Sequence, residues 1–283
     1  MRKYIFLMAV VLLAACTAEK ADHLTILSTS DTHSQVEPLP ANVSRDADMG
    51  GYARRMGMIE RERQTDPDLL LFDSGDFSQG TPYFNFYHGR IEMEALNRMG
   101  YDAATIGNHE FDNGIDTLAM VLKLANFPIV VANYDVAGTP LEGIVKPYAV
   151  LTRRGLRIGV FGLGVAPDDL ISAKNFAGIR YLDPLPVINE TAALLRNEKH
   201  CDVVICLSHL GSDVPGVKGH EADYDLNLIP MTHGVDVFLS GHTHHVLEER
   251  VPDADGHEVI LTQTGKAAVR VGKMILHLVP AED

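Results

Sequence analysis

Along the chain, short unbroken apolar runs alternate with longer segments whose apolar residues recur at helical spacing. The runs are Leu24-Thr25-Ile26-Leu27, Leu69-Leu70-Leu71-Phe72, Ala103-Ala104-Thr105-Ile106, Val203-Val204-Ile205-Cys206-Leu207 and Val235-Asp236-Val237-Phe238-Leu239. Runs of four or five residues rich in Leu and β-branched side chains predict strands covered on both faces. Between them, Gly51–Arg63 carries Tyr52, Met56 and Ile59 at helical spacing. Arg90–Met99, Ile115–Leu124 and Val187–Lys199 predict three further helices. Tyr148–Leu151 and Arg157–Phe161 flank Arg154-Gly155 and predict a β-hairpin, and Val259–Thr262 and Lys273–Leu278 add strands, so mixed sheets are expected. Alternating strands and helices indicate an α/β architecture. No segment repeats at a fixed period, and no low-complexity linker divides the chain.

Each of the first five runs ends in a turn loaded with chemistry. In order these are Asp31-Thr32-His33, Gly75-Asp76, Gly107-Asn108-His109-Glu110, His209 and Gly241-His242-Thr243-His244. Ligands of open α/β sheets collect at the carboxyl ends of the strands, so one site is expected to gather all five. Asp-x-His and His-x-His, in extended chain, place both side chains on one side. Gly75, Gly107 and Gly241 precede candidate ligands, where the backbone must turn tightly or approach an ion. A lone Asp-x-His or Gly-Asp is an ordinary turn. Two histidines beside an apolar strand are costly unless paired or ligated. The ordered set is the specific signal. Asp31, His33, Asp76, Asn108, His209, His242 and His244 supply only nitrogen and oxygen, which suits a catalytic pair of Mn²⁺, Zn²⁺, Co²⁺ or Fe²⁺ ions better than a structural zinc.

Composition narrows the partners. Of 283 residues, 46% are hydrophobic and 22% charged, which excludes wholesale disorder. Lys and Arg number 24 against 38 Asp and Glu, a formal charge of −14, which argues against binding nucleic acid. Three cysteines are too few for a disulfide framework. Cys201 and Cys206 are expected in the core on opposite faces of one strand, and the aromatic cluster Tyr83, Phe84, Phe86 and Tyr87 is expected in the core as well.

The N-terminus reads as an address. Arg2 and Lys3 precede an apolar run from Tyr4 to Ala15, so residues 1–15 are expected to be a signal peptide. Leu13-Ala14-Ala15-Cys16 resembles a bacterial lipoprotein box. The implied arrangement is a lipid-anchored Cys16 with a tether through residue 23, followed by a catalytic domain at 24–283. Acyl chains on Cys16 would then make the only membrane contact, in the periplasm or at the outer membrane or cell surface.

Taken together, the five turns resemble those of the calcineurin-like metallophosphatases. Ser30-Asp31-Thr32-His33-Ser34, Gly50-Gly51-Tyr52-Ala53-Arg54, Asp73-Ser74-Gly75-Asp76, Gly80-Thr81-Pro82 and Gly107-Asn108-His109-Glu110-Phe111-Asp112 are similar to the bacterial 5′-nucleotidase and UDP-sugar hydrolase branch. The resemblance implies a four-layer αββα sandwich of two mixed sheets. It implies that Asp31, His33 and His244 hold one metal, that Asn108, His209 and His242 hold the other, and that Asp76 bridges them. His109 and Asp112 match the family's catalytic dyad, and Asn108 also faces substrate. The implied reaction is hydrolysis of phosphate monoesters, 5′-nucleotides first, by a water that the metal pair activates. Cyclic nucleotides or UDP-sugars are the alternative substrates, and an idle metal-binding lipoprotein is the non-enzymatic reading. Two-domain 5′-nucleotidases continue into a domain that contacts the nucleoside. Here the last predicted strand lies close to Asp283, so a separate chain supplying that domain, or broader ester specificity, is expected.

Overall fold

The computed structural model describes residues 21–42, 45–212 and 223–278. The expected signal peptide, Cys16 and most of the tether lie outside the described residues. His23, expected in the tether, already belongs to the first strand, where it pairs with His277.

Two six-stranded sheets form the centre. In the first, β1 (His23–Thr29), β2 (Leu70–Asp73), β3 (Ala103–Ala104), β4 (Ile129–Val130) and β6 (Val145–Lys146) run parallel, and β14 (Gly272–His277) joins the edge antiparallel to β1. In the second, β8 (Leu156–Leu163), β10 (Val203–Ser208), β11 (Val237–Ser240) and β13 (Glu258–Thr264) run parallel. Antiparallel β7 (Tyr148–Arg153) and β12 (Val246–Pro252) close its two edges. β5 (Tyr134–Asp135) and β9 (Arg180–Tyr181) make a separate small pair.

The unbroken apolar runs serve two cores at once. On β10, Val203, Ile205 and Leu207 face the first sheet, packing with Ile26, Leu70, Phe72 and Leu239. Val204 and Cys206 face outward against Ile188, Ala192 and Leu195. These last residues come from α5 (Pro184–Ala193) and the π turn Leu194–Glu198 that continues it. On the far side, α1 (Tyr52–Thr65), α3 (Arg90–Met99) and α4 (Ile115–Leu122) lay Ile59, Met93, Leu96 and Leu118 over Leu27 and Leu71. The layers are helix, sheet, sheet, helix, with mixed sheets, as expected.

Local signals explain the element ends. Helix α3 sits between Gly89 and Gly100, both in left-handed backbone, and spans the expected Arg90–Met99. Helix α5 starts earlier than expected because Asp183 caps it, accepting from Leu185 N at 3.1 Å, with Pro184 in the first turn.

Two further expectations fail in the fold. Cys201 and Cys206 are buried and free, but they share one core rather than opposite faces, because Cys201 precedes the strand. The aromatic cluster is a short helix, α2 (Pro82–Tyr87), in which only Phe84 is buried. Phe86 is 77% exposed and Tyr87 50%. Among the described residues, no helix is long and apolar enough to cross a membrane.

Candidate dinuclear metal centre

The parallel strands β1, β2, β3, β10 and β11 end on one edge of the sandwich, where the two sheets meet. There Ser74 Oγ donates to Leu239 O at 2.7 Å, and His242 N donates to Asp31 Oδ1 at 2.9 Å. The five turns therefore converge from both sheets. Asp31, His33 and His244 form one group whose ligand atoms lie within 4.8 Å of one another. Asp76, His209 and His242 form a second. Asp76 also groups with His33 and His109, which places it between the two.

The route to this geometry differs from the one expected. Asp31, His33, Asp76, His242 and His244 all have positive φ, between 46° and 70°. The two-apart spacing is therefore read in left-handed turns beyond the strand ends, not in extended chain. Such backbone costs of order 1–3 kcal/mol per residue and persists where the surroundings impose it. The glycine expectation holds on contact grounds. A Cβ on Gly107 would sit 2.1 Å from Asp76 Oδ1 and 2.6 Å from His209 Nε2.

The donor atoms are aimed at a shared space. His33 Nε2 and His244 Nε2 approach to 2.9 Å. His209 Nδ1 donates to Ser74 O at 2.6 Å, which leaves Nε2 free to face Asp76 Oδ2 at 3.1 Å. Asp31 Oδ2, Asn108 Oδ1 and His209 Nε2 are buried without a hydrogen-bond partner. Stranded buried oxygens and imidazole nitrogens are costly, and a pair of cations satisfies all of them, so the residues fit the two metals that the motif order implies.

For three of the four ligand histidines, electrostatics agree. Burial holds His33 down to about 4, His242 to about 3 and His244 to about 4, the neutral state that ligates metal. His209 goes the other way: burial alone would discharge it, but the adjacent Asp76 carboxylate, itself held well below the usual range, raises it to about 10, so Nε2 must give up a proton to Asp76 or water before it can ligate. Burial beside Asp76 pushes Asp31 up to about 8. Two carboxylates in one dry pocket call for positive charge.

His109 and Asp112 stand at the rim. His109 N donates to Asp76 Oδ1 at 2.9 Å, and the ring Nδ1 lies 2.9 Å from Asp112 Oδ2. Burial opposes charge on this imidazole, but the Asp112 hydrogen bond and the Asp76 carboxylate carry its pKa above the ordinary value. Asp112 closes the 3₁₀ turn His109–Phe111; helix α4 is capped instead by Gly114. Lys266, whose place the sequence does not decide, is exposed, and its charge bears on His33 and His244.

Other residues support the ligands from behind. Glu110 accepts from Asp76 N at 2.9 Å, Gly107 N at 2.7 Å, and Ser78 N and Oγ at 3.0 Å, so one carboxylate ties two ligand turns together. Gln263 Nε2 donates to Gly241 O at 2.6 Å, and Asp225 accepts from Ser208 Oγ at 2.6 Å and Ser240 Oγ at 2.5 Å. No motif announces Gln263 or Asp225; their partners are backbone and serines of distant segments.

A family model for calcineurin-like phosphoesterases matches residues 24–246, which hold every turn described above. The chain belongs to the calcineurin-like phosphoesterases. Within that family it is 33% identical over 230 residues to a probable 5′-nucleotidase of Treponema pallidum (strain Nichols), covering 79% of this chain and 37% of that one. It is 32% identical over 232 residues to the 5′-nucleotidase of Bos taurus, covering 79% and 38%. Its fold superimposes on the 5′-nucleotidase precursor of Thermus thermophilus with a TM-score of 0.78 at 31% identity, covering 89% and 51%. The chain therefore spans well under half the length of these two curated relatives and about half of the Thermus protein.

Proposed function

We propose that this phosphoesterase hydrolyses phosphate monoesters, with 5′-nucleotides the preferred class. The observation that carries the reading is the convergence of seven nitrogen and oxygen ligands at the meeting edge of two sheets, with the His109–Asp112 pair at its rim. Asp31, His33 and His244 would hold one divalent cation, and Asn108, His209 and His242 the other, with Asp76 between them. When bound, such a pair stabilises charge on the phosphoryl oxygens and acidifies water for attack.

The chain's own residues do the rest. Asp112 accepts from Nδ1 of His109, holding the ring in place and leaving the proton on Nε2 as the one that can be handed on. His109, partly exposed and favoured in its charged form, donates a proton to the departing alkoxide. Asn108, beside it, would offer its amide N–H to the phosphoryl oxygens while Oδ1 faces the metal. Glu110 fixes the Asp76 and Gly107 turns from behind. A cavity of about 330 Å³ opens beside Asp112, lined by Gln79, Gly80, Thr81, Pro82, Phe84 and Asn85. Its polar lining suits a hydroxyl-bearing leaving group such as ribose. The 5′-nucleotidases among the relatives support the nucleotide assignment.

Selectivity is the test. A panel of 5′-AMP, p-nitrophenyl phosphate, bis(p-nitrophenyl) phosphate and UDP-glucose should show the highest kcat/KM on 5′-AMP. Preference for the diesters would overturn the monoester reading. Equal use of 5′-AMP and p-nitrophenyl phosphate would favour selectivity supplied by a separate polypeptide, a reading supported by the exposed Phe86 and Tyr87 on the helix whose Pro82, Phe84 and Asn85 line this cavity.

Export and lipid anchoring at Cys16, in the periplasm or at the cell surface, are proposed on the sequence alone. Labelled fatty acid should enter the wild-type chain and not Cys16→Ser.

A further inference from the structure

Far from the catalytic edge, the turn between β12 and β13 carries Asp253-Ala254-Asp255-Gly256-His257. Strand β13 runs parallel to β11, so this turn lies at the opposite end of the sheet from His242 and His244. The strand between them has seven residues, which separates the two places by on the order of 20 Å.

The Asp253 carboxylate is used on one side only. Its Oδ1 accepts from Asp255 N and His257 N, both at 2.9 Å. Its Oδ2 is buried and has no hydrogen-bond partner, in a side chain that is 1% exposed. That oxygen lies 3.7 Å from His257 Nδ1, too far for a hydrogen bond. Ligand atoms of Asp253, Asp255 and His257 all lie within 4.8 Å of one another. A neighbouring loop buttresses the group: His233 Nδ1 is 2.8 Å from Asp255 Oδ2, and Ala254 N donates to Thr232 O at 3.0 Å.

A buried carboxylate oxygen without a donor is costly. Here its side chain clusters with a second carboxylate and an imidazole, so a cation held by the three would satisfy the stranded oxygen. An imidazole beside two carboxylates suits first-row transition ions such as Zn²⁺ better than Ca²⁺ or Mg²⁺, which take oxygen ligands. We propose that Asp253, Asp255 and His257 form a peripheral Zn²⁺-type site, with His233 holding the Asp255 carboxylate in place. Such a site would staple the β12–β13 hairpin to the Thr232–Gly234 loop.

The test separates this site from the catalytic pair. The full chain is stripped with chelator and titrated with Zn²⁺ by equilibrium dialysis, beside the double variant Asp255→Asn with His257→Ala. Both altered side chains are exposed, so folding should survive. The wild type should bind one Zn²⁺ more per chain than the double variant, and the two should release phosphate from 5′-AMP equally. A second pair, both carrying His244→Ala, should differ by the same one ion, so the result does not depend on the catalytic reading. His233→Ala should weaken the extra ion by about tenfold. Equal stoichiometry in wild type and double variant, or an extra ion that is Ca²⁺ and never Zn²⁺, would overturn the assignment.

Discussion

Replacing Gly107 with Ala tests the packing of the metal centre with one methyl group. Gly107 has no positive φ, so Ala suits its backbone, and the penalty comes from what the methyl meets. Its Cβ would lie 2.1 Å from Asp76 Oδ1 and 2.6 Å from His209 Nε2, where ordinary contact begins at 3.4 Å. The carboxylate must therefore withdraw by about 1.3 Å and the imidazole by about 0.8 Å, and misplacement of about 1 Å costs on the order of 100-fold in rate. Overpacking of this kind destabilises by about 1–3 kcal/mol, so the variant should still fold. The assay is Mn²⁺ binding by equilibrium dialysis, with phosphate release from 5′-AMP and thermal unfolding of the metal-free protein. Gly138→Ala is the control: its φ is +75° and nothing lies within 4 Å of the added methyl. It should cost about 1 kcal/mol of backbone strain and leave binding and turnover unchanged. Wild-type Mn²⁺ affinity and turnover in Gly107→Ala would refute the claim that Asp76 and His209 ligate from the observed positions.

Three further outcomes are expected. Asp112→Asn should lower kcat on 5′-AMP by about 100-fold or more, yet spare p-nitrophenyl phosphate, whose nitrophenolate leaves without a proton; an equal loss on both would remove His109 as the proton donor. Glu110→Gln puts an amide where four donors expect a carboxylate. It should cost about 3 kcal/mol in urea unfolding and weaken Mn²⁺ about tenfold; unchanged stability would contradict the buttress described for Glu110. Asn85→Ala should raise KM for 5′-AMP by about two- to tenfold, the worth of one hydrogen bond, with KM for p-nitrophenyl phosphate unchanged; equal KM values for 5′-AMP would place the nucleoside elsewhere.

The layers and the edge that bears the site were legible because strand runs apolar on both faces can only be sandwiched. Val203 to Leu207 shows this, sending alternate residues into two different cores. The ligand turns were legible because Asp, Asn and His rarely follow such runs without a task. The turn backbone was not legible. Asp-x-His suits extended and left-handed chain alike, and only the packing around Asp31 and His33 decides between them. Gln263 and Asp225 escaped because their partners belong to segments distant in sequence. Helix α2 reads as core in the sequence because four aromatic residues in five positions resemble a buried run, whereas its helical turn leaves Phe86 and Tyr87 outside.

The central claim is most directly tested by phosphate release from 5′-AMP. The chelator-stripped full chain would be assayed with and without Mn²⁺, beside His109→Ala. Release is expected only with Mn²⁺, and the His109→Ala protein should still bind Mn²⁺ at wild-type stoichiometry but turn over at least about 100-fold more slowly. Release that persists in the stripped protein, or a wild-type chain that binds no Mn²⁺, would contradict it.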